Sequence, residues 1–171
     1  MRWKTTLRVA AVSVGLALAV AACGSGSNGA AAPADGSTVS TRDVPGVGTA
    51  LTGADGKTLY FAEQEAGGKI RCTDACLSFW TPLTVSGGAT PTAGTGVTGK
   101  LATINRPDGS VQVTYDGNPL YTFTQDGKPG DAKGNGFADT FNGTDFTWHA
   151  AAPTGAAPTG QAPPNGGGYG Y

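Results

Sequence analysis

The clearest alternation of apolar and polar positions lies in the second half of the chain. Residues 110–115 read Ser-Val-Gln-Val-Thr-Tyr, which puts Val111, Val113 and Tyr115 on one face and Ser110, Gln112 and Thr114 on the other, the period of two expected of a half-buried strand. Asp108-Gly109 and Asp116-Gly117 bracket this stretch and predict an antiparallel meander over residues 100–105, 110–115 and 119–124. A related pattern occurs upstream. Residues 55–65, Asp-Gly-Lys-Thr-Leu-Tyr-Phe-Ala-Glu-Gln-Glu, align with residues 116–126, Asp-Gly-Asn-Pro-Leu-Tyr-Thr-Phe-Thr-Gln-Asp, at an offset of 61. Each copy continues to a Trp followed by a Pro: Trp80 with Pro82, and Trp148 with Pro153. Residues 73–79 read as a short helical turn, capped by Thr73 or Asp74 and stopped by Pro82. A meander with one apolar face must be covered, and a second copy of the unit can supply the cover. The expected fold is therefore all-β, with two related antiparallel repeat units forming a small sandwich or barrel. Repeat 1 spans about residues 44–86 and repeat 2 about residues 97–152.

The two ends have other patterns. Residues 1–8 carry Arg2, Lys4 and Arg8 without an acid, and residues 9–20 form an uncharged apolar run, the length of a signal-peptide core and too short to span a bilayer comfortably. The run ends in Val20-Ala21-Ala22-Cys23, which resembles the lipobox of bacterial lipoproteins. That resemblance implies diacylation of the Cys23 sulfur, with Cys23 as the mature N-terminus; the alternative is an ordinary secretory signal with a spare thiol. Residues 23–43, rich in Gly, Ser, Ala and Thr, are expected to be the lipidated cysteine and a flexible tether. Residues 153–171, PTGAAPTGQAPPNGGGYGY, are expected to form a disordered tail, since they offer little surface to bury.

Composition narrows the function classes. Charged residues make up 13% of the chain and the formal charge is -1, so no basic field is present to hold nucleic-acid phosphates. Removing residues 1–22 takes away three positive charges and leaves a mature net charge of -4, which favours solubility over adhesion to anionic headgroups. The sequence contains no Gly-x-Ser-x-Gly or Ser-x-x-Lys motif, no phosphate loop ending in Lys-Ser/Thr, and a single histidine. Catalysis therefore has little support. Glu63 and Glu65, two apart, read as an acidic exposed edge.

Tyr121, Phe123 and Asp126, preceded by Pro119-Leu120 and followed by the Gly-rich residues 129–136, resemble the tandem Y-x-[FWY]-x-x-D motif of the bacterial lipoproteins known as secreted repeats of unknown function. The first copy keeps Tyr60 but has Ala62 and Glu65 where the motif has an aromatic residue and Asp. The stretch from Cys72 through Cys76 to Trp80 and Pro82 is also similar to the segment that follows the first repeat in that family. The resemblance implies an exported protein, lipid-anchored to the outer leaflet of the bacterial cell membrane or to the outer membrane of a diderm, with no established activity. Its expected partners are the membrane, through the anchor, and an unidentified envelope protein or small ligand.

Several residues have chemistry to offer. Cys72 and Cys76 form an even pair in an exported chain and are most simply a disulfide. A second reading makes them ligands of a soft metal such as copper as Cu(I), with His149 as a third donor. Tyr121, Phe123 and Asp126, with Tyr60 and Glu65 of the first copy, form a candidate binding motif. In an uninterrupted strand Tyr121 and Asp126 would point to opposite faces, so Asp126 is expected to end the strand by accepting backbone N–H groups at Gly127 or beyond. Asp126, Asp131, Asn135 and Asp139 lie in a Gly-rich loop whose oxygens suggest an irregular calcium site, although EF-hand spacing fails at Lys133 and Asn142.

Overall fold

The computed structural model describes residues 36–154. The expected signal peptide, Cys23, most of the tether and the tail from residue 155 lie outside the described residues. The described chain is all-β, with curled sheets and short 3-10 turns in place of longer helices. Its strands are β1 (Val39–Val44), β2 (Gly48–Gly53), β3 (Tyr60–Ala62), β4 (Trp80–Pro82), β5 (Thr84–Val85), β6 (Leu101–Asn105), β7 (Val111–Tyr115), β8 (Asn118–Pro119), β9 (Tyr121–Phe123), β10 (Ala138–Phe141) and β11 (Thr144–Ala150). β1 and β2 form a hairpin, and β5-β7-β6 form a second sheet to which β8 adds. The remaining strands make a five-stranded sheet in the order β10-β11-β3-β9-β4.

That order shows how the duplication is assembled. The two repeats do not build separate sheets that pack face to face. β3 of repeat 1 pairs antiparallel with β9 of repeat 2, with Tyr60 opposite Tyr121, so equivalent residues face each other across a local two-fold axis. The Trp-bearing strand of each repeat then crosses to the other. β4 pairs with β9, placing Trp80 opposite Phe123, and β11 pairs with β3, placing Trp148 opposite Ala62.

The exchange continues into the adjoining backbone. Leu51 N–H donates to Ala151 O, Leu59 N–H to Leu51 O, and Ala151 N–H to Leu59 O, at 2.7–2.9 Å. On the other side Val113 N–H donates to Leu83 O, Leu120 N–H to Val113 O, and Leu83 N–H to Leu120 O, at 2.8–3.0 Å. Each triangle draws two members from one repeat and the third from the other. Backbone groups buried this deeply need partners, and here the partners come from the opposite half of the chain.

Three expectations change. Residues 39–43, expected to belong to the tether, form most of β1: Val39 is fully buried in an apolar cluster with Leu51, Leu59 and Leu120. The short Ser-Thr-rich stretch hides this because its polar residues take strand hydrogen bonds to β2. Gln112 and Thr114 are not on a solvent face, for β7 is covered on both sides and Gln112 is fully buried. The helical turn is a 3-10 turn over Asp74–Ser78; Thr73 occupies the N-cap position without a side-chain bond, and Asp74 has φ 52°.

Interlocking makes each half depend on the other. The segment of residues 97–152 expressed alone is expected to give either an unfolded chain or a strand-exchanged dimer, as read by far-UV circular dichroism and size-exclusion light scattering. A folded monomer with its own cooperative unfolding transition would contradict the exchange.

Candidate functional site

The motif residues of the two copies meet at the two-fold axis. Tyr60 and Tyr121 are both fully buried, so each phenol hydroxyl requires a partner within the protein. Tyr60 O–H donates to Asp126 Oδ2 at 2.6 Å, which couples repeat 1 to repeat 2. Glu65, at the equivalent position of repeat 1, helps to push the pKa of Tyr121 up, but its Oε2 makes no hydrogen bond. Glu65 and Asp126 occupy equivalent positions, and each accepts the backbone N–H seven residues further on. Cys72 N–H donates to Glu65 Oε1 at 2.7 Å and Lys133 N–H to Asp126 Oδ1 at 3.0 Å.

Glu65 is thus fully buried inside a 3-10 turn, not part of an exposed acidic edge. Asp126 ends its strand by accepting a backbone N–H beyond Gly127, as expected, but its second oxygen serves Tyr60 of the other copy. The Gly127 N–H goes to Asp131 Oδ2 at 3.0 Å.

The surroundings of the two tyrosines differ. Arg106, whose side chain is 1% exposed, donates from Nη1 to Gln112 Oε1 at 2.6 Å and to the Tyr121 hydroxyl at 3.1 Å, and from Nη2 to Cys72 O at 2.6 Å. Its Nε stands 3.5 Å from Asp108 Oδ2 without forming a hydrogen bond. In the strand register of repeat 1, Val44 and Ala50 fill the places of Arg106 and Gln112. Tyr121 therefore faces a guanidinium, while in the equivalent places repeat 1 has only the apolar Val44 and Ala50.

Two tryptophans lie beside the tyrosines. Trp80 and Trp148 stack with centroids 3.8 Å apart and planes inclined by 10°. Tyr60 meets Trp80 edge-on at 5.5 Å, and Tyr121 meets Trp148 edge-on at 5.2 Å. One carboxylate bridges the indoles: Trp80 Nε1–H donates to Asp139 Oδ2 at 2.8 Å and Trp148 Nε1–H to Asp139 Oδ1 at 2.9 Å. Gly134 is required at this point. A Cβ there would lie 2.8 Å from Trp80 and 3.0 Å from Tyr60.

Burial governs the electrostatics. Both aspartates have raised pKa values, chiefly through desolvation; Tyr60 and the Lys133 N–H oppose the shift at Asp126, and the two indoles oppose it at Asp139. Tyr60 is pushed far above the ordinary tyrosine value by burial and then by Asp126. Tyr121 is raised by burial and then by Glu65, with Arg106 acting in the other direction.

The proposed metal donors do not converge. Cys72 and Cys76 form a disulfide with Cα atoms 5.3 Å apart, and both are fully buried. His149 Nε2 instead pairs with Glu63 Oε1 at 2.7 Å, and its ring lies against Phe61. The oxygens of the Gly-rich loop are also committed elsewhere, since Asn135 Oδ1 accepts Ala150 N–H at 3.0 Å and Asp139 holds the indoles. Among the described residues no group of three or more His, Cys, Asp or Glu side chains could hold a metal ion.

Two open grooves flank the core in related positions. A groove of about 540 Å³ separates Arg106, Pro107 and Asp108 of the β6–β7 turn from Thr73, Asp74 and Leu77. Its counterpart of about 370 Å³ runs between Pro45, Gly46 and Val47 of the β1–β2 turn and the loop carrying Asp131, Lys133 and Asn135.

These features define an all-β module in which two interlocked repeats share a buried tyrosine–carboxylate centre. Residues 102–152, from β6 to the end of the second repeat, match the family described as "Secreted repeat of unknown function". Neither the curated proteins nor the solved structures provide a match. Repeat 1, with Ala62 and Glu65 in its motif, lies outside the matched segment. Tyr60, Tyr121, Phe123, Asp126 and Glu65 were legible as a motif. Arg106 was not, because an arginine beside Pro107 in a turn reads as a solvated residue; Asp139 was visible only as a loop oxygen, with no signal for its two indole donors.

Replacing Gly134 by Ala should destabilise the domain by about 1–3 kcal/mol in urea denaturation, because the Tyr60–Trp80 contact leaves no room for a methyl group. An unchanged midpoint would mean that the contact is looser than described. A second test uses pH. The raised folded-state pKa of Asp139 adds stability that is full below the ordinary aspartate value and is lost as the pH rises through the folded value. Moving from neutral to mildly acidic buffer should therefore stabilise the wild type more than Asp139→Asn, and equal slopes for the two proteins would contradict the assignment.

Proposed function

We propose that this chain is a lipoprotein of the bacterial cell envelope, anchored through diacylated Cys23, whose two-repeat domain serves as a non-catalytic binding or structural module. The observation that carries this reading is that the polar atoms of the repeat motif are spent inside the fold. The Tyr60 hydroxyl and both oxygens of Asp126 are engaged within the protein, and Glu65 Oε1 accepts two backbone N–H groups, those of Arg71 and Cys72. No nucleophile or acid of the motif is left facing an open cleft. The same residues serve as the keystone of an interlocked scaffold, and the two grooves at the hairpin turns offer concave surfaces for a partner.

A Cu(I) site on Cys72 and Cys76 would first require reduction of a fully buried disulfide. In native mass spectra the oxidised chain should therefore be two hydrogens lighter than the reduced chain and carry no copper adduct. The anchor is tested by labelling cells with radioactive palmitate. Label and membrane association should both be lost in Cys23→Ala, with the protein released from the membrane fraction. Label that persists in this variant would remove the lipoprotein assignment.

A further inference from the structure

The four buried rings form a continuous path: Tyr60 to Trp80 at 5.5 Å, Trp80 to Trp148 at 3.8 Å, and Trp148 to Tyr121 at 5.2 Å. Three of the four rings also hydrogen-bond to a carboxylate that can accept a proton. Asp139 takes hydrogen bonds from both indole N–H groups, and Asp126 takes the Tyr60 hydroxyl. Tryptophan and tyrosine are the side chains most readily oxidised by one electron among those of this core, and the oxidised forms become strongly acidic.

We propose that these rings form a hole-transfer relay, in which an electron lost from the indole pair to a one-electron oxidant is replaced from Tyr60, leaving a neutral tyrosyl radical there. The oxidant is of the class of high-valent haem iron or a photogenerated ruthenium(III) complex. In the first step it gains one electron, the indole N–H bond breaks, and the proton moves to Asp139. In the second step Tyr60 gives an electron to the indolyl radical and Asp139 returns its proton to the indole nitrogen, while the Tyr60 O–H bond breaks and that proton moves to Asp126. The balance is oxidant, Tyr60–OH and Asp126 carboxylate giving reduced oxidant, Tyr60–O• and Asp126 carboxylic acid.

The asymmetry of the centre selects Tyr60. The Tyr121 oxygen accepts a hydrogen bond from the Arg106 guanidinium, whose positive charge withdraws electron density and opposes oxidation. Around Tyr60 the equivalent positions are the apolar Val44 and Ala50, and its bond to Asp126 is short. The inference goes beyond the envelope-module reading and does not depend on the anchor.

The test is flash oxidation of the detergent-purified full protein with a ruthenium(II) tris-bipyridine complex and persulfate, followed by freeze-quench electron paramagnetic resonance with ring-deuterated tyrosine. A tyrosyl signal is expected that narrows on deuteration, is unchanged in Tyr115→Phe, and in Tyr60→Phe is replaced by an indolyl or Tyr121 signal. Asp126→Asn keeps the phenol but removes its proton acceptor, so it should slow formation of the radical several-fold and serves as the decisive variant if Tyr60→Phe folds poorly. A yield and rate unchanged in the variants that fold, or a signal abolished by replacing Tyr169 and Tyr171 with Phe, would overturn the relay.

Discussion

The Tyr60 hydroxyl lies where water does not reach, and the acceptor it finds belongs to the other repeat. A buried phenol without an acceptor costs on the order of 1–3 kcal/mol, and a buried carboxylate without donors costs more. The bond from Tyr60 to Asp126 meets both requirements at once, and it is possible only when the two copies lie antiparallel with Tyr60 opposite Tyr121. From that register the exchange of β4 and β11 follows, because each motif strand has one edge occupied by its twin and the other left open. The closing strand that reaches the open edge is the one from the opposite repeat.

The aromatic core is arranged around the same axis. Bringing β4 and β11 to opposite edges of the β3–β9 pair places Trp80 and Trp148 face to face. Two indole N–H groups then point to one side of the stack, where Asp139 of β10 accepts both. Aromatic pairs add about 0.5–1.5 kcal/mol each beyond their burial, so this cluster contributes substantially to a small domain. The disulfide tightens the turn just after the Glu65 site, at the place where repeat 2 has Lys133 and Gly134 and needs space for the rings. The two copies have thus diverged where their neighbours differ, with Arg106 and Gln112 beside Tyr121 where repeat 1 has Val44 and Ala50.

Much of the fold could be read from local signals. The 61-residue offset identified Tyr60 with Tyr121 and Glu65 with Asp126, and the Asp-Gly turns located the hairpins of repeat 2. Local patterns carry no information about which edge a strand will join, so the exchange of Trp80 and Trp148 between repeats was not legible. The alternation in β7 suggested a solvent face through Gln112 and Thr114. A polar residue buried by a matching guanidinium has the same sequence signature as an exposed one, and Arg106 is the residue that reverses the reading. Val39 lay among small polar residues and gave too short an apolar signal to separate β1 from the tether. Glu65 departs from the motif by one methylene; it keeps the role of accepting the backbone N–H seven residues on, while its Oε2 makes no hydrogen bond of the kind that joins Asp126 to Tyr60.

A double-mutant cycle joining Tyr60→Phe and Asp126→Asn, read from urea unfolding of the folded variants, tests most directly whether the two repeats are held together through this shared centre. The account predicts a coupling of about 1–2 kcal/mol between residues 66 positions apart in sequence. Additive effects, within about 0.3–0.5 kcal/mol, would contradict it.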